Sequence, residues 1–424
     1  MHKWNENYNF KIGHPPDETS QIESFKKAID HTFKRFENPD SFSSKDYTYT
    51  YRFLNYGDKR GDIGVREAIS KWVTEDTYYK VYADNLFITN GCSHALDILC
   101  CAFLKNGDNI LVEAPTYYIM LNTFKDHRLN PISIMKNEDD GTLNIERVEY
   151  LIKEHNIKAF YVIATCHNPT NLNIPIEQRN DLYNLALKYK CYMFVDDVYE
   201  RFYYNNTETN RLTPTFYCSN DIVNNKVKKQ KLHRKEIIDY DPNSNPYVIS
   251  MCSFNKLINP GFRIGWIMAE KNVINRLEAV GYVASGGSVN NTISQFVRSY
   301  IELGLIEEAI EYTKQNFNKR IELCDKVLKG SKAFTYIKPQ GGYFYWLRLN
   351  NKVNINKLKK KLDDENTVIL FGDSAADLNT LNDKEKEQLS KRIRLCFTRY
   401  EMDKMVKGFE FVRKLIEDCF ENNL

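Results

Sequence analysis

Long apolar stretches are missing from this sequence. Its longest apolar run, around Ala95 to Leu104, is interrupted by Asp97 and is too short to span a bilayer. Charge of one sign is missing too: 59 Lys+Arg stand against 56 Asp+Glu, a net charge of +3 in 424 residues. That balance gives no global attraction to nucleic acid or to an acidic membrane surface. Ten cysteines are scattered without a C-x-x-C pair or a Cys/His cluster of zinc spacing, the closest being Cys100 and Cys101. No metal site is expected, and the thiols are expected to be reduced and mostly buried. The N-terminal MHKWNENYNF has neither an apolar core nor Arg/Ser-rich amphipathic character, so the cytoplasm is the expected compartment. No internal repeat is visible.

What is present is the composition of an ordinary globular chain, 42% hydrophobic and 27% charged, long enough for a large and a smaller domain. Gln21 to Phe36 has apolar residues at Ile22, Phe25, Ile29 and Phe33, the spacing of an amphipathic helix. From Asn85 onward strand, loop and helix alternate. NLFITNG, NILVEAP, KAFYVIATCHNP, CYMFVDDVY and PYVISMCSF read as strands. Helices are expected near Val65, at Ala95 to Leu104, behind Pro115 and at Glu177 to Tyr189. This alternation predicts an α/β fold with a large, doubly wound, mostly parallel-sheet domain. After Trp266 helices dominate: Lys271 to Val280, Thr292 to Leu303 and Ile306 to Leu328, with a Gly/Ser loop, YVASGGSVNN, among them. The strands KPQGGYFYWLRL and LSKRIRLCFTRYE and a closing helix, Met402 to Phe420, predict a smaller α+β domain over 305–424. Residues 45–304 are then the large domain, and residues 1–44 a segment packing with the small one. The polar, Asn-rich stretch 204–246, with its basic run KVKKQKLHRKE, reads as a solvated insertion, or as a docking surface for an acidic partner.

The chemistry centres on Ser250 to Trp266, SMCSFNKLINPGFRIGW. A β-prone run delivers Ser253 and Lys256 at its end, Pro260-Gly261 turns the chain, and Arg263 follows. A lysine amine can form an imine with a carbonyl compound. A hydroxyl and a guanidinium can hold a phosphate. Carbonyl and phosphate in one small molecule point to pyridoxal 5′-phosphate (PLP). In open α/β sheets ligands bind beyond the carboxyl ends of the strands, and four strands here end in four different functional groups. Gly91-Cys92-Ser93 opens a helix and offers backbone N–H groups and the Ser93 hydroxyl to an anion. Asn168 and Tyr199 can donate to the phenolate oxygen of the ring, and Asp196 can keep its pyridine nitrogen protonated. Tyr117, just after Pro115, can wall the ring. Each alone has a plain reading as an N-cap, a turn or a strand end. Together, in this order, they meet what one cofactor requires.

On these motifs the chain resembles the fold-type I PLP-dependent enzymes of the class I/II aminotransferase family. The likeness runs from about Tyr56 to Leu415 through NYGDKRGDIGVREAI, TNGCSHALDIL, EAPTYY, HNPTN, DDVY, SFNKLINPGFRIGW, PQGGYFYW and RIRLCF. It implies that Lys256 is the Schiff-base lysine and proton shuttle, supported by Asp196 and Tyr199. It implies that Arg394 clamps the substrate α-carboxylate, with Asn168 beside it. Tyr56 is implied to reach the cofactor phosphate of a neighbouring subunit, hence a homodimer with shared sites. NFKIGHPP, the SGGSVNN loop and PQGGYFYW resemble the branch near the 2-aminoadipate and kynurenine aminotransferases. There an N-terminal segment closes over the substrate, so Ile12, Gly13 and His14 are expected to line the pocket. The implied activity is ping-pong transfer of an amino group between an L-amino acid and a 2-oxo acid such as 2-oxoglutarate. The donor is expected to be of 2-aminoadipate, aromatic or large branched type. A C–S β-lyase or a cyclopropane-carboxylate synthase would keep the same residues, and a PLP-binding regulator would add a winged helix ahead of the core. The chain departs from the family pattern at Asn171, where glycine is usual, at Cys92-Ser93-His94, and in the 204–246 insertion.

Overall fold

The β-branched and aromatic runs become strands in the computed structural model, which describes residues 8–37, 52–77, 79–202, 204, 237, 245–287 and 289–421. In chain order the strands are β1 (Tyr8–Asn9), β2 (Leu86–Thr89), β3 (Asn109–Ala114), β4 (Asn130–Met135), β5 (Ala159–Val162), β6 (Tyr192–Asp196) and β7 (Val248–Ser253). There follow β8 (Gly265–Met268), β9 (Phe334–Tyr336), β10 (Phe344–Leu349), β11 (Thr367–Val368), β12 (Leu370–Phe371) and β13 (Arg392–Cys396). A seven-stranded sheet has the order β2-β8-β7-β6-β5-β3-β4. Its strands β3 to β7 run parallel, and β8 alone is antiparallel to both its neighbours, β2 and β7. That reversal matters for the site. It puts the start of β8, just after Arg263, at the same edge as the ends of β2, β5, β6 and β7.

Apolar layers cover both faces of this sheet, which is why β2, β5 and β7 are buried at every position rather than at alternate ones. Leu96, Leu99, Phe124 and Ile249 lie in one layer, and Val148, Leu151, Phe160 and Leu182 in the other. A second, four-stranded antiparallel sheet has the order β12-β13-β10-β9 and places Trp346 opposite Arg394. The N-terminal segment reaches both parts of the chain. β1 pairs with β11, the Cys396 N–H donates to the Phe10 carbonyl, and Thr32 on the helix Ile22–Glu37 bonds Ser299 on the helix Asn291–Glu302.

Several expectations change. The run GWIM is strand β8 and NPISIM is strand β4, neither of which is read from the sequence: GWIM is buried throughout and carries no alternation, and NPISIM alternates only over Ile132-Ser133-Ile134, behind a proline. The first residues of YVASGGSVNN, read as loop, belong to a short helix, Gly281–Gly286. LSKRIRLCFTRYE is a strand only over Arg392–Cys396, because its first residues close the helix Asp383–Ser390. That helix, with an Asn382/Glu385 capping box, and the Asn-capped helices Ile145–Glu154 and Ile355–Asp364 went unread. Most of the 204–246 insertion lies outside the described residues. All described cysteines are free, most of them buried and Cys101 exposed. Among the described residues no helix is long and apolar enough to cross a membrane.

Candidate active site

Lys256 follows β7 in a half-buried position. Its Nζ donates to the Gly13 carbonyl at 2.9 Å and stands 4.9 Å from the centre of the Tyr343 ring. Burial, aided by the Arg263 and Arg394 cations, lowers its pKa to about 8. Part of the population is then a free amine near neutral pH, the form that attacks a carbonyl or takes up a proton.

Asp196 ends β6 and is buried. The Tyr161 hydroxyl donates to its Oδ2 at 2.7 Å, while Oδ1 has no partner among the described residues. Burial raises the Asp196 pKa, with the Tyr161 hydrogen bond, the nearby Cys92 thiol and Val198 N–H dipoles and the Lys256 charge working against it. A buried carboxylate oxygen without a donor is costly, and a protonated ring nitrogen would supply that donor. Tyr117 is half-buried nearby; burial first, then Asp196, raises its pKa to about 12. Tyr199 is buried with its ring 5.2 Å from that of Tyr343.

Gly91 caps the helix Cys92–Phe103 with φ +81°, where a side chain is strained. A Cβ there would also collide with Asn255 Nδ2 and lie 3.4 Å from Arg263 NH2. Only glycine lets the helix N-terminus, Asn255 and Arg263 close on one another, and this makes a cradle suited to an anion. Ser93 is exposed on the first turn of that helix. Ser253 is turned inward instead, donating to the Ile264 carbonyl at 3.3 Å and accepting from the Asn255 N–H at 3.1 Å.

Arg394, on β13 and 2% exposed, donates from NH1 to Asn168 Oδ1 at 2.6 Å and from NH2 to the Lys11 carbonyl. Its guanidinium lies 4.0 Å from the centre of the Phe344 ring and 5.9 Å from that of Tyr118. The N-terminal segment crosses at this point. A Cβ on Gly13 would stand 2.7 Å from Phe344 Cζ, and Thr398 Oγ1 holds the His14 carbonyl at 2.8 Å. Lys256, Arg394, Asn168, Gly13, Asp196, Tyr117, Tyr199, Gly91, Cys92 and Arg263 are thus joined by direct contacts or near neighbours. Tyr56 is not: it is 85% exposed, and among the described residues no side-chain contact links it to the rest.

Sequence reasoning missed Tyr161, Asn255, Lys11, Tyr118, Tyr343 and Phe344. The tyrosine in the middle of β5 was the readable signal, since a hydroxyl in a wholly buried strand requires an acceptor. Elsewhere, Asp97, Cys101 and His127 bring ligating atoms within 4.8 Å of one another, a grouping that no sequence spacing displays.

The bare Asp196 oxygen, the glycine-edged cradle and the low-pKa amine fit PLP. A doubly wound sheet that brings all three to one edge is the architecture of the fold-type I PLP enzymes. The chain belongs to the aminotransferase class I and II family, whose description matches residues 8–409. It is 25% identical over 375 residues to aromatic-amino-acid aminotransferase 1 of Thermococcus litoralis, covering 86% of this chain and 80% of that protein. Among solved structures it is similar to the multiple substrate aminotransferase of Thermococcus profundus, with TM-score 0.77, 22% identity, and 98% and 92% of the two chains covered. It is similar also to the kynurenine aminotransferase of Pyrococcus horikoshii, with TM-score 0.78, 21% identity, and 99% and 93% covered. The protein is a transaminase, and its cofactor is PLP.

Proposed function

We propose that this transaminase moves an amino group between a large L-amino acid, of 2-aminoadipate, aromatic or branched type, and a 2-oxo acid such as 2-oxoglutarate. The observation that carries this reading is Arg394. A buried guanidinium whose partners here are two neutral oxygens, Asn168 Oδ1 and the Lys11 carbonyl, can exchange the latter for a carboxylate and gain a charge-assisted, two-pronged contact. The walls beside it, Tyr117, Tyr118 and Phe344, suit a large side chain, and Lys11 Nζ lies 5.2 Å over the Tyr118 ring. Two similar structures are a kynurenine and an alpha-aminoadipate aminotransferase, which agrees with that size.

When bound, PLP supplies the electron sink for charge released at the substrate α-carbon. Asp196 Oδ1 would accept from the ring N–H, the helix start at Gly91 to Ser93 and Arg263 would hold the phosphate, and Asn168 and Tyr199 would serve the ring oxygen. Lys256 Nζ takes the α-proton and returns it. The segment Lys11 to His14 covers the pocket against water, and Tyr56 completes the site of a second subunit in a homodimer. The test is an absorbance titration of the PLP-loaded protein with 2-aminoadipate, glutamate, kynurenine, leucine, phenylalanine and tyrosine. A visible band that moves to the near ultraviolet, and returns on adding 2-oxoglutarate, is the expected result and identifies the donor. A band that none of these amino acids moves would defeat the proposal.

A further inference from the structure

Tyr161 lies on β5, wholly buried, beside the strand that ends in Asp196. Phenylalanine would fill such a position equally well, whereas a buried hydroxyl is costly unless bonded. Its acceptor is Asp196 Oδ2 at 2.7 Å. The Cys92 thiol donates to the Met251 carbonyl at 3.5 Å and lies near enough to the Asp196 carboxylate to interact with it. The sequence assigns the Cys92 backbone N–H to the anion cradle, and the thiol lies beside Asp196.

We propose that Tyr161, by engaging Asp196 Oδ2, is a positioning residue for the ring-nitrogen carboxylate, with the Cys92 thiol close by in a supporting role, so that Oδ1 is presented to the cofactor. This inference rests on the PLP reading of the site. Its physical basis is twofold. Geometrically, a carboxylate with one oxygen tied down cannot rotate, so the free oxygen keeps one direction. Electrostatically, each donor favours the ionised carboxylate against the burial that opposes it. The other titratable groups facing Asp196 are Lys256, Tyr117, Asp197 and Cys252. Of these only Lys256 is cationic, so the neutral donors carry much of the task.

The experiment uses apoenzyme of wild type, Tyr161→Phe, Cys92→Ser and Cys92→Ala. Each is titrated with PLP and with its carbon isostere, in which CH replaces the ring nitrogen. Dissociation constants are read by quenching of protein fluorescence at a series of pH values, since burial raises the Asp196 pKa and the ionised fraction then depends on pH. Tyr161→Phe is expected to bind PLP about tenfold to a hundredfold more weakly, the worth of one hydrogen bond to a charged group. The deficit grows as pH falls, and binding of the isostere matches wild type. Cys92→Ser, which keeps a donor, stays close to wild type, while Cys92→Ala shows a smaller loss of the same kind. Equal weakening for both ligands, or none for either, would overturn the proposal. If Tyr161→Phe apoenzyme does not melt cooperatively, the two Cys92 variants decide by the same comparison. A wild type that binds PLP no better than the isostere, with Asp196→Ala costing nothing, would instead overturn the PLP reading of Asp196.

Discussion

Lys256 shows how burial sets function at the scale of one residue. Its amine has a pKa of about 8 in the fold against 10.5 when free. The unfolded chain therefore holds this proton through a window in which the folded chain has lost it. The group penalises the folded apoenzyme below about pH 8, and the penalty is relieved as pH rises through that window. Capture of PLP by the apoenzyme should speed up about tenfold per pH unit up to about 8 and then level off. Stopped-flow absorbance measures this, and a break near the ordinary lysine value would reject the assignment. Lys256→Ala should abolish turnover in a coupled assay while the protein still retains PLP through its other contacts. Arg394→Lys loses the planar fork and should raise KM for amino and oxo acids by about tenfold or more, with a smaller effect on kcat. An unchanged KM would remove Arg394 from the carboxylate site.

At the scale of elements, one buried cluster ties three strands to the turn that carries Asn168. Glu113 on β3 has Lys136 Nζ at 2.7 Å, His167 Nε2 at 3.3 Å and the Ile163 N–H at 2.8 Å, with Glu113, Lys136 and His167 all inaccessible to water. Burial pushes the Glu113 carboxyl up, but Lys136 and His167 overcome it and hold it at about 2. Its folded pKa lies below its unfolded value, so this stability is present above about 4.5 and lost as pH falls toward about 2. Glu113→Gln should flatten acid unfolding in that window; an unchanged acid limb by circular dichroism would contradict this. Glu113→Ala leaves Lys136 buried and unpaired and should cost about 3–5 kcal/mol in urea denaturation. The elements that were legible beforehand are those with long, regular patterns. Ile22–Glu37 was read within a residue at each end because its apolar stripe repeats through several turns. β8 was not, since four residues buried on both faces carry no period.

At the scale of the whole molecule, Tyr56 is an expected site residue that has no side-chain contact with the rest of the site among the described residues. At 85% exposure it is available to a second copy, as a shared site requires. Mixing Tyr56→Phe and Lys256→Ala proteins after dissociation should restore, in each hybrid dimer, one site with both native residues. Activity at limiting PLP should then exceed the mean of the two parents. A mixture that only averages them would rule out sharing.

The sequence by itself determined the chemistry available at the strand ends. Lys256, Asp196, Asn168 and Gly91 each stand where an apolar run stops at a turn, and such boundaries are local signals spanning a few residues. Tertiary structure alone decided who meets whom. Arg394 finds Asn168 across 226 residues, Lys256 meets the Gly13 carbonyl across 243, and Tyr161 finds its acceptor on the neighbouring strand. It also decided the charge states, lowering the Lys256 amine and leaving one Asp196 oxygen bare. The reason is physical: turn and strand propensities act along the chain, whereas hydrogen-bond partners and desolvation depend on which surfaces pack together.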